Sequence, residues 1–140
     1  MDGEIIVGAI IMCVVCCGCG ALFFGLGVWA NSLEKPMHFW SGSTIDPKTV
    51  VDIPEYNRKN AVMWKWYSLP YWLAGIFGLL SWKHEWWMYV SVALLLIACV
   101  PGFVVLIGCY KRIEKEHIKK MPLQNLQILL VYLQHIDGNK

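Results

Sequence analysis

The chain has 140 residues, of which 57% are hydrophobic and 16% charged, with eight Trp and a formal net charge of +2. Water-soluble domains carry roughly 25% charged residues, so this composition excludes a disordered chain or an acidic tail protein. A free-standing soluble enzyme domain is excluded too, because the apolar residues gather into three blocks separated by charged stretches.

The first block runs from Ile5 to Ala30, 26 residues without a charge. At ~1.5 Å per residue it exceeds the ~30 Å hydrocarbon layer of a bilayer, and a transmembrane helix is expected over 5–30. Its tip is acidic (Asp2, Glu4) and the run is longer than the apolar core of a cleavable signal, so it reads as a retained span. Within it lie Cys13, Cys16, Cys17 and Cys19. On a helix Cys19 points away from the other three, whereas a metal site needs converging ligands, so no metal is expected. Together with Ala9, Gly20 and Gly27, Cys13 and Cys17 form a stripe of small residues that lets another helix approach closely. With all six cysteines inside apolar spans, a disulfide framework is not expected either.

The connector 31–60 opens with a loop signature, Asn31 to Pro36, followed by the aromatic pair Phe39 and Trp40 before a Ser-Gly turn. Asp46-Pro47 has the form of a helix N-cap with Pro at the first helical position, which predicts a short helix through Val51. From Glu55 to Leu69 no breaker occurs, so the second long helix is expected to begin around Pro54, ahead of its apolar span at 61–82. Along it Asn57, Asn60, Trp64, Tyr67, Tyr71, Gly75 and Gly78 recur at steps of three and four and share one face. This stripe is read as packing against the other helices, with the Asn amides bonding the connector; as a functional surface it would wall a cavity facing the cytoplasm. With Phe39 and Trp40, its polar and aromatic part (Asn57, Asn60, Trp64, Tyr67, Tyr71) is the candidate interaction face. Lys65, the one charge in this span, lies near its beginning, where its ammonium can reach the head groups. Pro70 and Pro101 remove backbone donors to the carbonyls of Trp66 and Ile97, which predicts bends in both helices.

Only Lys83, His84 and Glu85 separate this span from the third, 86–110, and Trp82, Trp86 and Trp87 flank them. Indole rings favour the membrane interface, so a tight helical hairpin is expected. Basic residues cluster in the connector and after Tyr110, with none at the N-terminal tip, which predicts three spans with the N-terminus outside and the C-terminus in the cytoplasm. Residues 111–140 divide into a basic stretch, KRIEKEHIKK, with Arg112/Glu116 at helical spacing, and an apolar-rich run over 123–136. Fourteen residues do not span a bilayer, so this run is expected to be an amphipathic helix on the membrane or against a partner, a strand over 127–133 being the alternative.

The fold class expected is therefore all-α, an integral membrane protein of three transmembrane helices, with 1–110 as the membrane domain and 111–140 as a juxtamembrane helix and tail. No phosphate loop, nucleophile triad or metal-ligand motif occurs, so neither an enzyme nor a cofactor is expected. No Asp or Glu lies within a span, which speaks against a proton-driven carrier. Expected partners are the lipid bilayer and a second copy or another membrane protein, not nucleic acid; the pI of about 8.2 is accounted for by lysines beside anionic lipid.

Phe39-Trp40-Ser41-Gly42, Val50-Val51-Asp52-Ile53, Glu55 to Asn60 and Met63-Trp64 form a pattern that resembles small uncharacterised membrane proteins of Gram-positive bacteria. It is more distantly similar to SdpI-like immunity proteins, over roughly residues 37–107. The resemblance implies a bacterial inner-membrane protein that senses or protects against a membrane-active peptide. A small transport or channel subunit, assembled through the glycine-rich face of the first helix, is the alternative.

Overall fold

A computed structural model describes residues 3–38 and 45–118. Phe39, Trp40, the Ser-Gly turn after them and the run 123–136 lie outside the described residues. Among the described residues the fold is all-α: three long helices joined by a connector and a short turn, with 85% of residues helical. Helix α1 is Gly3–Ser32, α2 is Ile53–Leu80 and α3 is Trp86–His117. A π turn, Ala98–Gly102, divides α3 into halves Trp86–Ile97 and Phe103–His117.

The start of α2 is set by Asp52. Its extended backbone turns the carboxylate onto the Glu55 N–H at 3.0 Å, and Pro54 occupies the first turn, where its missing N–H costs nothing. Asp46-Pro47 caps only a single 3₁₀ turn, Pro47–Thr49, shorter than the helix expected there. Val50 and Ile118 then meet in an isolated antiparallel bridge, and the Val51 N–H donates to the His117 carbonyl at 3.0 Å. This pairing links the connector to the end of α3 across 68 residues of sequence and has no local signal.

Pro70 leaves α2 unbroken from Ile53 to Leu80, whereas Pro101 sits inside the π turn. The wider winding of a π turn absorbs a residue that cannot donate to the regular ladder. The Tyr67 hydroxyl of α2 donates to the Ala98 carbonyl of this turn at 3.1 Å. Helix α3 does not pause at residue 110 but runs on to His117.

Helices α1 and α2 lie side by side through close approaches at small residues. A Cβ on Gly27 would stand 2.8 Å from the Ala61 carbonyl oxygen, one on Gly75 would meet Cys17 Sγ at 2.8 Å, and one on Gly78 would meet Met12 at 3.0 Å. The buried seam of α1 is Ala9, Cys16, Gly20, Gly27 and Ala30, so Cys16 takes the central position rather than Cys13 or Cys17. Helix α3 is tied to α2 by the buried Ser91 hydroxyl, which donates to the Ala74 carbonyl at 2.6 Å. At the hairpin turn Phe77, Trp87 and Trp86 stack in series, with centroids 5.0 and 4.1 Å apart.

Helices α1 and α3 are both long and apolar enough to cross a membrane, and only 17% of the most apolar stretch of each is buried. A core helix of a soluble protein is mostly buried; here Val14, Leu22, Val100 and Val104 are all more than 60% exposed while Gly20 and Gly27 are inside. Helix α2 falls short of the same hydropathy because its middle carries Trp64, Lys65, Trp66, Tyr67, Tyr71 and Trp72.

Candidate functional site

The polar groups of the described residues gather at one end of the bundle, where the connector meets the first turns of α2 and the last turns of α3. Asn57 is the centre. Buried to 1% exposure, it accepts the Met37 N–H at Oδ1 and donates from Nδ2 to the carbonyls of Leu33 and Lys35, all at 2.9 Å. An Asn offers two donors and one acceptor oxygen, and here they match three backbone groups of a chain that has left α1 and entered no other element. The loop 33–37 is thus pinned to α2 by one side chain.

Beside it the Tyr56 hydroxyl stands 3.1 Å from the Tyr110 hydroxyl and 3.4 Å from the Met37 carbonyl oxygen. Burial, and then the hydrogen bond with Tyr110, push the Tyr56 phenol far above its ordinary value, so it stays a neutral hydrogen-bonding group. Asn60 Nδ2 donates to the Tyr56 carbonyl at 2.9 Å. Below this knot Phe23 of α1 meets three aromatic rings of α2. It stacks on Trp64 at 5.9 Å and packs against Tyr67 and Tyr71 at 4.9 Å. Such offset and edge-on pairs add to the gain from burial alone.

The structure therefore brings Asn57, Asn60, Trp64, Tyr67 and Tyr71 together along the α1–α2 interface, continued by Gly75 and Gly78 against Cys17 and Met12. They do not wall a shared cavity. A Cβ on Gly20 would stand 3.1 Å from the Trp72 ring, and Cys13 Sγ lies 3.8 Å from Cys17 Sγ. Among the described residues no group of three His, Cys, Asp or Glu is placed to hold a metal ion.

The large cavity lies on another face. A groove of about 860 Å³ runs between α2 and the C-terminal half of α3, with Val62, Trp66 and Pro70 on one wall and Pro101, Val105 and Cys109 on the other. Of the aromatic stripe only Tyr67 reaches it. At its polar end stand Arg58, Lys59, Arg112 and Glu116. Glu116 accepts from Lys59 at 3.1 Å and from Arg112 at 3.2 Å, so one carboxylate serves two cations. Arg58 is held in two parallel bonds, 2.7 and 2.8 Å, by Glu55. The bond from Lys59, then that from Arg112, hold the Glu116 carboxyl below its ordinary value, and Arg58 does the same for Glu55.

Tyr56, Tyr110 and the groove residues carry no chemical motif and are distinguishable only once the helices are placed. The Arg112/Glu116 pair is the exception, since its four-residue spacing is legible on a helix. Compared with protein families, curated proteins and solved structures, the chain matches none.

Proposed function

We propose that this chain is a non-enzymatic, three-span integral protein of a bacterial inner membrane that binds a partner, or a membrane-active agent, at its basic cytoplasmic face. The observation that carries this reading is the inverted distribution of side chains: branched apolar residues point outward from α1 and α3 while glycine, small residues and hydrogen-bonded polar groups lie inside. Outward apolar surface on that scale suits a hydrocarbon solvent, and small interior residues suit helix packing within it. Helix α2 serves as the third span despite its lower hydropathy, because it lies along α1 from Gly27 at one end to Met12 at the other. If α1 crosses the layer, its neighbour crosses it too.

A binding rather than catalytic role is supported by the use of the polar residues. The amide of Asn57 and the Tyr56–Tyr110 pair are spent on holding the connector in place. The positive-inside rule supports a cytoplasmic position for this end. Of the glycines of α1, Gly20 and Gly27 are taken up by α2, so an oligomeric pore assembled through this helix would have to use Gly18 and Gly25, which face open space.

The test is extraction and labelling. The chain is expected to stay with membranes in alkaline carbonate. In a variant without native cysteines, an impermeant maleimide should label Cys introduced at His84 in intact cells and at Lys48 only after permeabilisation. Release by carbonate overturns the membrane reading, and labelling of Lys48 from outside overturns the orientation. For the role itself, mild-detergent copurification should yield a stoichiometric protein or peptide that is lost when residues 45–51 are replaced by Gly and Ser.

A further inference from the structure

The groove between α2 and the second half of α3 has an apolar floor, a basic end and a defined length. Along α2 from Arg58 to Pro70 the twelve-residue rise is ~18 Å, and along α3 the lining runs from Ile97 to Glu116, ~28 Å. One leaflet of a bilayer is half of the ~30 Å hydrocarbon layer, or ~15 Å. The α2 wall thus measures about one acyl chain from head group to methyl end, and the longer α3 wall carries on past it to Glu116. Toward the far end of the groove Tyr67 crosses to the π turn, bonding the Ala98 carbonyl and standing 3.4 Å from where a Cβ of Gly102 would be.

The charge at the near end has one sign in excess. Three cations line it; Arg58 is paired with Glu55, while Lys59 and Arg112 share the one carboxylate of Glu116, which leaves one positive charge in excess. Arg112 spends its Nε on that carboxylate, and its side chain is 83% exposed. The planar terminal donors of an arginine suit a phosphate. Between the two ends the lining is aliphatic and aromatic, with Val105 63% and Trp66 67% exposed toward the side where lipid would lie. An apolar groove with one wall of leaflet length, ending in charged groups of net positive sign at head-group depth, is complementary to one class of molecule.

We infer that this groove holds an anionic phospholipid of the cytoplasmic leaflet, its acyl chain along Val62, Trp66, Pro101 and Val105 and its phosphate at Arg112 and Lys59. This rests on the three-span reading above, which sets the depth of the basic end.

The experiment is native mass spectrometry of the full chain in mild detergent, offered equal amounts of phosphatidylglycerol and phosphatidylethanolamine with the same acyl chains. One phosphatidylglycerol per chain should be retained, favoured by about fivefold for each basic group that meets the head group. Arg112→Gln with Lys59→Gln should bring its retention down to that of phosphatidylethanolamine. Val105→Trp, at an exposed position whose enlargement leaves the helix seams alone, should lower retention of both lipids. Equal retention of the two lipids by the unaltered chain overturns the proposal, as does undiminished retention in Val105→Trp. A dimer without bound lipid would assign the groove to a second copy, and lipid retained only after removal of 119–140 would assign it to the chain's own tail; either overturns it. A carbonate-resistant chain without lipid preference defeats the lipid site alone, whereas a chain released by carbonate defeats the membrane reading beneath it.

Discussion

Against α1, helix α2 offers Gly75, Gly78 and the Ala61 carbonyl at distances that leave no room for a methyl group, while against the second half of α3 the same helix leaves about 860 Å³ open. The difference follows from which residues stand opposite. Where glycine faces its neighbour, helices close to direct contact and gain dispersion. Where Trp66 and Pro70 face Pro101 and Val105, rigid or bulky groups hold the helices apart, and the Lys59–Glu116 ion pair braces the gap from one end. One seam is sealed by shape and by amides; the other is propped.

If that contrast is right, substitutions in the sealed region should be felt and those on the propped side tolerated. The largest effect is expected at the amide knot. Asn57→Leu strands the Met37 N–H and two carbonyls, and thermal unfolding in detergent, followed by tryptophan fluorescence, should register a loss of about 3–5 kcal/mol. A loss below one would show that water takes over these bonds. Next comes Gly27→Ala, whose methyl would press on the Ala61 carbonyl oxygen; overpacking of this kind costs about 1–3 kcal/mol. Gly25→Ala in the same helix meets open space and is its control, expected to be neutral or to stabilise by up to ~1 kcal/mol through helix propensity. If the two behave alike, the close seam is not formed. Ser91→Ala removes one bond between α3 and α2 and should cost about 0.5–1.5 kcal/mol by the same measurement.

The smallest effect belongs to the brace. Glu116 and Glu55 are both held below the ordinary carboxylate value of 4.5, by hydrogen bonds from Lys59 and Arg58 respectively. A depressed carboxyl contributes stability above its unfolded value and loses that contribution as pH falls through the folded one. Acid titration should therefore weaken the brace only below about pH 4.5, and Glu116→Gln should flatten that part of the stability curve. An unchanged curve would mean that solvent screens both pairs.

How much of this the sequence discloses depends on the range of each interaction. The long helices are legible from uncharged runs, and the start of α2 is approached from Pro54, although the capping role of Asp52 is seen only in the structure. The three-and-four stripe from Asn57 to Gly78 identifies a face, but periodicity does not say whether a helix or a cavity stands opposite; Phe23, Cys17 and Met12 supply that answer. The Val50–Ile118 bridge and the Lys59–Glu116 pair join residues more than 55 positions apart, and no local pattern encodes them. Pro101 marks an irregularity, yet both a kink and a π turn satisfy it.

That turn has a consequence for phase. Ser91 and Ala98 are buried one heptad apart, and an undisturbed helix would next bury position 105; instead Val105 is 63% exposed and Leu106 is buried, followed by Tyr110 and His117. The extra residue in the wider turn has rotated everything beyond it by one step, ~100° about the axis. Deleting a single residue between Ala98 and Gly102 would restore regular winding, carry Tyr110 away from Tyr56, and uncouple the two ends of a rod that otherwise remains helical throughout.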